Sequence, residues 1–161
     1  MTSPADLPAL LASTVAKLDD VHDEALGVFK PSRGIAIFRT ADAFAPAGRA
    51  WRLGVLLLDR SGRLYSVGEV TRAVMPGRAA VNRSALGEER RAYRAAASRS
   101  AFPAGEAINF GYAPISLDPI SRPLFERDGH VFVVVDAASG GCAPLDSYLA
   151  ERVAVLTADV Y

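Results

Sequence analysis

The chain has 161 residues, half of them hydrophobic and 22% charged, which is long enough to bury a core without disulfides or metals and excludes both a disordered segment and a membrane span. A single cysteine, Cys142, rules out an intramolecular disulfide, and the N-terminal residues lack the basic and apolar regions of a secretory signal, so a reducing, cytoplasmic setting is expected. Formal charge balances at zero but unevenly: residues 1–30 carry a net −3, residues 31–105 a net +8 and residues 106–161 a net −5.

Ser3, Pro4 and Asp6 read as a helix start, with a cap, a proline in the first turn and an acid behind it. Leu7, Leu10, Leu11, Val15, Leu18, Val21 and Leu26 recur at helical spacing, which predicts one amphipathic helix over 7–26, ended by Gly27 and the Pro31 to Gly34 stretch. His22 lies among Asp19, Asp20 and Asp23, a cluster read as a solvated helix edge in preference to a metal site. Residues 35–38 predict a short strand and residues 41–48 a loop.

The strongest local signal is a hairpin. Residues 53–58 are too short for an isolated helix and too apolar for a surface strand, and Asp59, Arg60, Ser61 and Gly62 have the chemistry of a type I turn closed by a left-handed glycine. With Asp59 facing Arg63, an unbroken strand places Trp51, Leu53, Val55, Leu57, Tyr65 and Val67 on one face and Leu56, Leu58, Leu64 and Val70 on the other. The second strand is expected to continue to Val74. Gly54 and Gly68 leave room for the close approach of another group, expected to be the N-terminal helix.

Asn82 or Ser84 caps a helix reaching about Arg99, with a thin apolar face of Leu86, Tyr93, Ala96 and Ala97. Arg83, Arg90 and Arg94 fall along one ridge of it, flanked by Arg91, and are candidates for contact with phosphates. Without interleaved aromatics or a zinc framework, nucleic acid is the disfavoured partner. Residues 107–112 alternate as a strand, Pro114, Pro119 and Pro123 enforce an extended crossing, and residues 124–127 and 130–135 form a second hairpin around Asp128-Gly129. Its uniformly apolar second strand is expected beside the central strand of the first hairpin. A helix over 144–151 and a strand over 153–156 close the chain.

Two glycines before a helix start can gather N–H groups around an anion, and a thiol there is open to activation, so Gly140, Gly141 and Cys142 form the second candidate anion site. The expected occupant of that position is still an ordinary glycine-rich connection with a half-buried cysteine. His130 is too far along its strand to act as a base for Cys142. Phosphate-loop, dinucleotide, nucleophile-elbow and zinc-ligand patterns are missing, and no cofactor or metal is expected.

These elements predict a single α+β domain over 1–161: a mainly antiparallel sheet of about five to seven strands built from two hairpins, the N-terminal helix on one face and an Arg/Ala-rich helix on the surface. The function expected is a non-catalytic binding or protein-interaction module that self-associates, as a homodimer or other homo-oligomer, with no membrane partner. A small enzyme using Cys142 or carboxylates, and a phosphate or nucleic-acid binder using the Arg-rich helix, are the alternatives.

Overall fold

The computed structural model describes residues 1–35, 40–77 and 84–158. Along the chain run α1 (Leu7–Leu18), β1 (Glu24–Lys30), β2 (Ala43–Leu53), β3 (Leu56–Asp59), β4 (Leu64–Ser66), β5 (Glu69–Arg72), α2 (Ala85–Ser98), β6 (Ala107–Phe110), β7 (Ala113–Pro114), β8 (Leu124–Arg127), β9 (His130–Asp136), β10 (Gly141–Pro144) and α3 (Leu145–Ala158). The class is α+β. Seven strands form a mostly antiparallel sheet in the order β5-β6-β1-β2-β3-β4-β7, and three form a second sheet in the order β10-β9-β8. The chain divides into two compact units, one of Met1–Asp23, Ala50–Val67 and Tyr112–Tyr161, the other of Glu24–Arg49 and Gly68–Gly111.

In the first unit the Asp59 turn forms as its residues dictate. Asp59 N–H donates to Arg63 O at 3.0 Å, Gly62 N–H donates to Asp59 O, and Gly62 takes a φ of 84°. The strand leading into that turn is broken, however, at Gly54. Its φ of 67° lets Gly54 and Val55 form a two-residue hairpin turn, with Leu53 opposite Leu56. Reversing the chain there changes the face assignment: Trp51 pairs with Leu58, Leu53 with Leu56 and Leu58 with Leu64, so these five share one buried face while Leu57 pairs with Arg52 and Tyr65 on the other. Leu7, Leu11 and Leu18 of α1 and Leu145, Tyr148, Leu149 and Val153 of α3 close over that face. Each such leucine contributes about 1.5–3 kcal/mol by leaving water, so this layer carries the unit.

Expected helix limits shift at both ends of the chain. The first helix stops at Leu18, where Val21 N–H bonds back to Leu18 O, and the expected turns over 19–26 give way to β1. Two aspartates, His22 and Asp23 are poor helix interior residues, whereas Val28 and Phe29 favour a strand, so the helical spacing of Val21 and Leu26 is coincidental. At the other end the expected strand over 153–156 is the last part of α3, because Leu145, Tyr148, Leu149 and Val153 keep one helical face buried and packing overrides the local β preference of the valines. The second hairpin turns at Asp128 and Gly129, with φ values of 53° and 75°, as its residues predict. Its second strand, β9, lies between β8 and β10 and not beside β3, and only alternate residues, Val131 and Val133, are fully buried.

The second unit has its own core. Phe44, Phe110, Tyr93 and Phe29 pack with ring centroids 4.8–6.3 Å apart, over Ala96 and Ala97 of α2 and Ile108 of β6. Ser84 caps α2 by accepting from Gly87 N–H at 3.1 Å, while Leu86, expected on the apolar face, is 53% exposed. β1 and β6 pair in parallel, and Gly27 in β1 admits the Ile108 side chain, since a Cβ there would lie 2.7 Å from Ile108 Cγ2. Residues 43–48, expected as a loop, open β2, anchored by the buried Phe44. Strands β4 and β5 are separate where one strand to Val74 was expected. The group against Gly68 is the backbone of Phe110 and Gly111, and that against Gly54 is the Tyr148 phenol; neither is α1. The strand expected over 35–38 lies, apart from Ile35 in a bend, outside the described residues.

Candidate functional site

The sheet β10-β9-β8 buries one face in the core through Leu124, Val131 and Val133 and turns the other outward. Period-two alternation puts Phe125 and Arg127 of β8 on that outer face, and cross-strand pairing sets Phe125 against Phe132 and Cys142 beside Val134. The Phe125 and Phe132 rings stack with centroids 5.7 Å apart and planes 21° from parallel. Arg127 lays its guanidinium over both, 4.5 Å from the Phe132 centroid and 5.7 Å from that of Phe125. Arg122, just before β8, lies 5.4 Å from the same Phe125 ring. Its position is fixed by the loop ahead of it: Leu124 N–H bonds to Ser121 O, Ser121 Oγ accepts from Ser116 N–H, and Val134 N–H bonds to Pro123 O at 2.9 Å.

A groove of about 730 Å³ runs over this face, with Arg122, Arg127, Phe125 and Cys142 on its walls and Pro123, Val134, Ala137, Gly140 and Ser66 completing it. Among the described residues its lining includes two cations and no carboxylate. Asp136, which precedes Ala137 of the lining, is spent on its own turn: its oxygens accept from Ser139 Oγ–H and Ala138 N–H, and those bonds hold its carboxyl below the ordinary value. Arg127 Nη2 donates weakly to Cys142 Sγ at 3.8 Å; among the described residues neither arginine has a carboxylate partner. Each guanidinium carries five donors, most of which have no acceptor among the described residues; Arg122 also lines a second cavity, of about 450 Å³, together with Asp118 and Glu126.

The sequence candidates divide between two places. Gly140 and Cys142 line the groove, Gly140 with a φ of 71° and Cys142 exposed where a half-buried residue was expected. Gly141 opens β10 at a register shift opposite Asp136, so the segment is a β-hairpin turn and not a helix entry; α3 begins three residues after Cys142. Arg90 and Arg94 are exposed on α2 in the other unit. Arg91 is tied to Gly77 O and Arg99 to Asp42 O, and Arg83 lies outside the described residues. Arg122, Arg127 and Phe125 escaped the sequence reading, although the i, i+2 spacing of Phe125 and Arg127 in a predicted strand was the available signal.

One other cluster is structural. Arg60 bonds Asp23 at 3.0 Å and Asp19 at 2.9 Å while lying 4.8 Å from the Trp51 ring, which gives the acids around His22 a partner. Among the described residues no three His, Cys, Asp or Glu side chains are grouped as metal ligands, and no helix is long and apolar enough to cross a membrane. His130 stands four residues along β9 from Val134, the strand partner of Cys142, so roughly 13 Å separates the two positions. No protein-family model matches the chain, and no curated protein or solved structure is detectably similar to it.

Proposed function

We propose that the protein is a non-catalytic binding module that takes a small anionic ligand on the outer face of β10-β9-β8. The observation that carries this reading is the pair Arg122 and Arg127, both within 6 Å of the Phe125 ring in a groove whose lining, among the described residues, holds no carboxylate. Stacking on an aromatic face restrains a guanidinium before any ligand arrives, so less side-chain freedom is lost on binding, and the planar fork suits carboxylate and phosphate oxygens. Binding is favoured over catalysis because, among the described residues, the lining offers no imidazole or carboxylate to move a proton or to serve Cys142 as a base.

The test is titration of isotope-labelled protein with inorganic phosphate at fixed ionic strength, followed by amide chemical shifts. Shifts should concentrate at Phe125, Arg127, Val134, Gly140 and Cys142 and vanish in the Arg122→Ala, Arg127→Ala double variant. Shifts centred instead on Arg90 and Arg94 of α2 would move the anion site to the Arg-rich helix, and no saturable shift anywhere would remove the reading.

A further inference from the structure

Resting on that reading, we infer that the ligand is a small organic molecule with two anionic groups joined by a short apolar part, such as a diacid or diphosphate, held at one end by Arg122 and at the other by Arg127. The two guanidiniums belong to one site, since each lies within 6 Å of the same Phe125 ring. They are not bonded to a common acceptor in the protein, and among the described residues the one hydrogen-bond acceptor for either is the Cys142 sulfur. A ligand that brings a negative group to each guanidinium satisfies both, which a single anion on one of them does not. The same groove has apolar lining in Pro123, Val134, Ala137 and the Phe125 ring, beside Ser66, Gly140 and Cys142. A volume of about 730 Å³ exceeds what an inorganic anion fills and suits a small organic molecule.

Calorimetric titration of the full chain at constant ionic strength separates the possibilities. Butyrate has the carbon count of succinate and one charge fewer, and glutarate and adipate lengthen the span between carboxylates; phosphate and pyrophosphate form the matching pair. The best diacid should bind at least tenfold more tightly than butyrate, and pyrophosphate similarly against phosphate. Arg122→Ala and Arg127→Ala should each weaken the diacid at least fivefold more than they weaken butyrate, because the diacid loses one of two anchors while one guanidinium still remains for a single carboxylate. Both side chains are exposed, and the lysine variants, which keep charge but lose the fork, should lie between wild type and alanine. Equal affinity for butyrate and every diacid and for both phosphates, or loss of affinity with only one of the two arginine substitutions, would overturn the two-anchor inference and leave the anion site standing. Failure of wild type to bind any of these anions would overturn the binding reading, and this inference with it.

Discussion

The hydroxyl of Tyr148 in α3 donates to Leu53 O at 3.0 Å, and its oxygen accepts from Val55 N–H at 2.9 Å, so one phenol satisfies both backbone groups that flank Gly54. Gly54 is exposed, but Leu53 is buried and Val55 partly so, and the phenol pairs the two backbone groups that face inward.

Tyr148→Phe should therefore lower stability by about 1–3 kcal/mol, the cost of unsatisfied buried polar groups, with little change in secondary structure. Gly54→Ala should cost more, because it both forces an L residue to a φ of 67° and places a Cβ 2.1 Å from the Tyr148 oxygen. Urea unfolding of the two variants checks the order. Equal stability of Gly54→Ala and wild type would mean that the turn is not built this way.

Phe125 carries no charge, yet Phe125→Ala should weaken anion binding at the groove. Its ring is the surface on which Arg122 and Arg127 are both held, and without it each guanidinium recovers freedom that a ligand must then remove. A loss of about threefold to tenfold in affinity is expected, with Phe125→Leu no better than alanine if stacking is the cause. Measured affinity unchanged in Phe125→Ala would separate the arginines from the ring.

Asp59 sets the acid limb of stability for the first hairpin. Burial pushes its carboxyl up, but hydrogen bonds from Ser61 Oγ–H, from the N–H groups of Arg63 and Ser61, and from Tyr65 O–H outweigh that and hold it below the ordinary 3.8. A folded value below the unfolded one contributes stability that is fully present above the unfolded value and is lost as pH falls through the folded one. Wild type should thus exceed Asp59→Asn in stability at neutral pH, with the difference shrinking below about pH 4. Parallel stability curves for the two proteins down to pH 2 would contradict this assignment.

Overpacking tests the second core. Gly27→Ala adds a Cβ 2.7 Å from Ile108 Cγ2, a branched side chain itself packed among Phe44 and Phe110 in the buried cluster. A loss of about 1–3 kcal/mol is expected. Combining Gly27→Ala with Ile108→Ala removes Cγ2, the atom in the way, and should cost less than the sum of the two single losses, whereas additive losses in the double variant would show that crowding is not the cause.

Local chemistry was legible in the sequence where one residue's conformation decides the outcome. Asp59 to Gly62 and Asp128-Gly129 turn as their residues dictate, and Ser84 caps its helix. Spacing was less reliable, because Val21 and Leu26 extend a helical stripe that the chain does not follow past Leu18, and Val153 to Leu156 resemble a strand while lying on the packed side and end of α3. Gly54 was noticed as a place of close approach, but its reversal of the chain, which moves Leu56 and Leu58 to the face of Trp51, depends on a tyrosine more than ninety residues later. The groove was half legible for the same reason. Gly140 and Cys142 could be singled out by local composition, whereas Arg122, Arg127 and Phe132 become neighbours only once β8 and β9 pair.

Trp51 is the one tryptophan in the chain, 1% exposed, with its indole N–H bonded to Val21 O at 2.9 Å and the Arg60 guanidinium 4.8 Å from its ring. The unit of Glu24–Arg49 and Gly68–Gly111 contains Tyr93 and no tryptophan. Fluorescence excited at the red edge of the indole band is thereby blind to that unit: a shift of emission to longer wavelength reports the opening of the leucine core around Trp51 and nothing else, so its unfolding can be timed optically without labels.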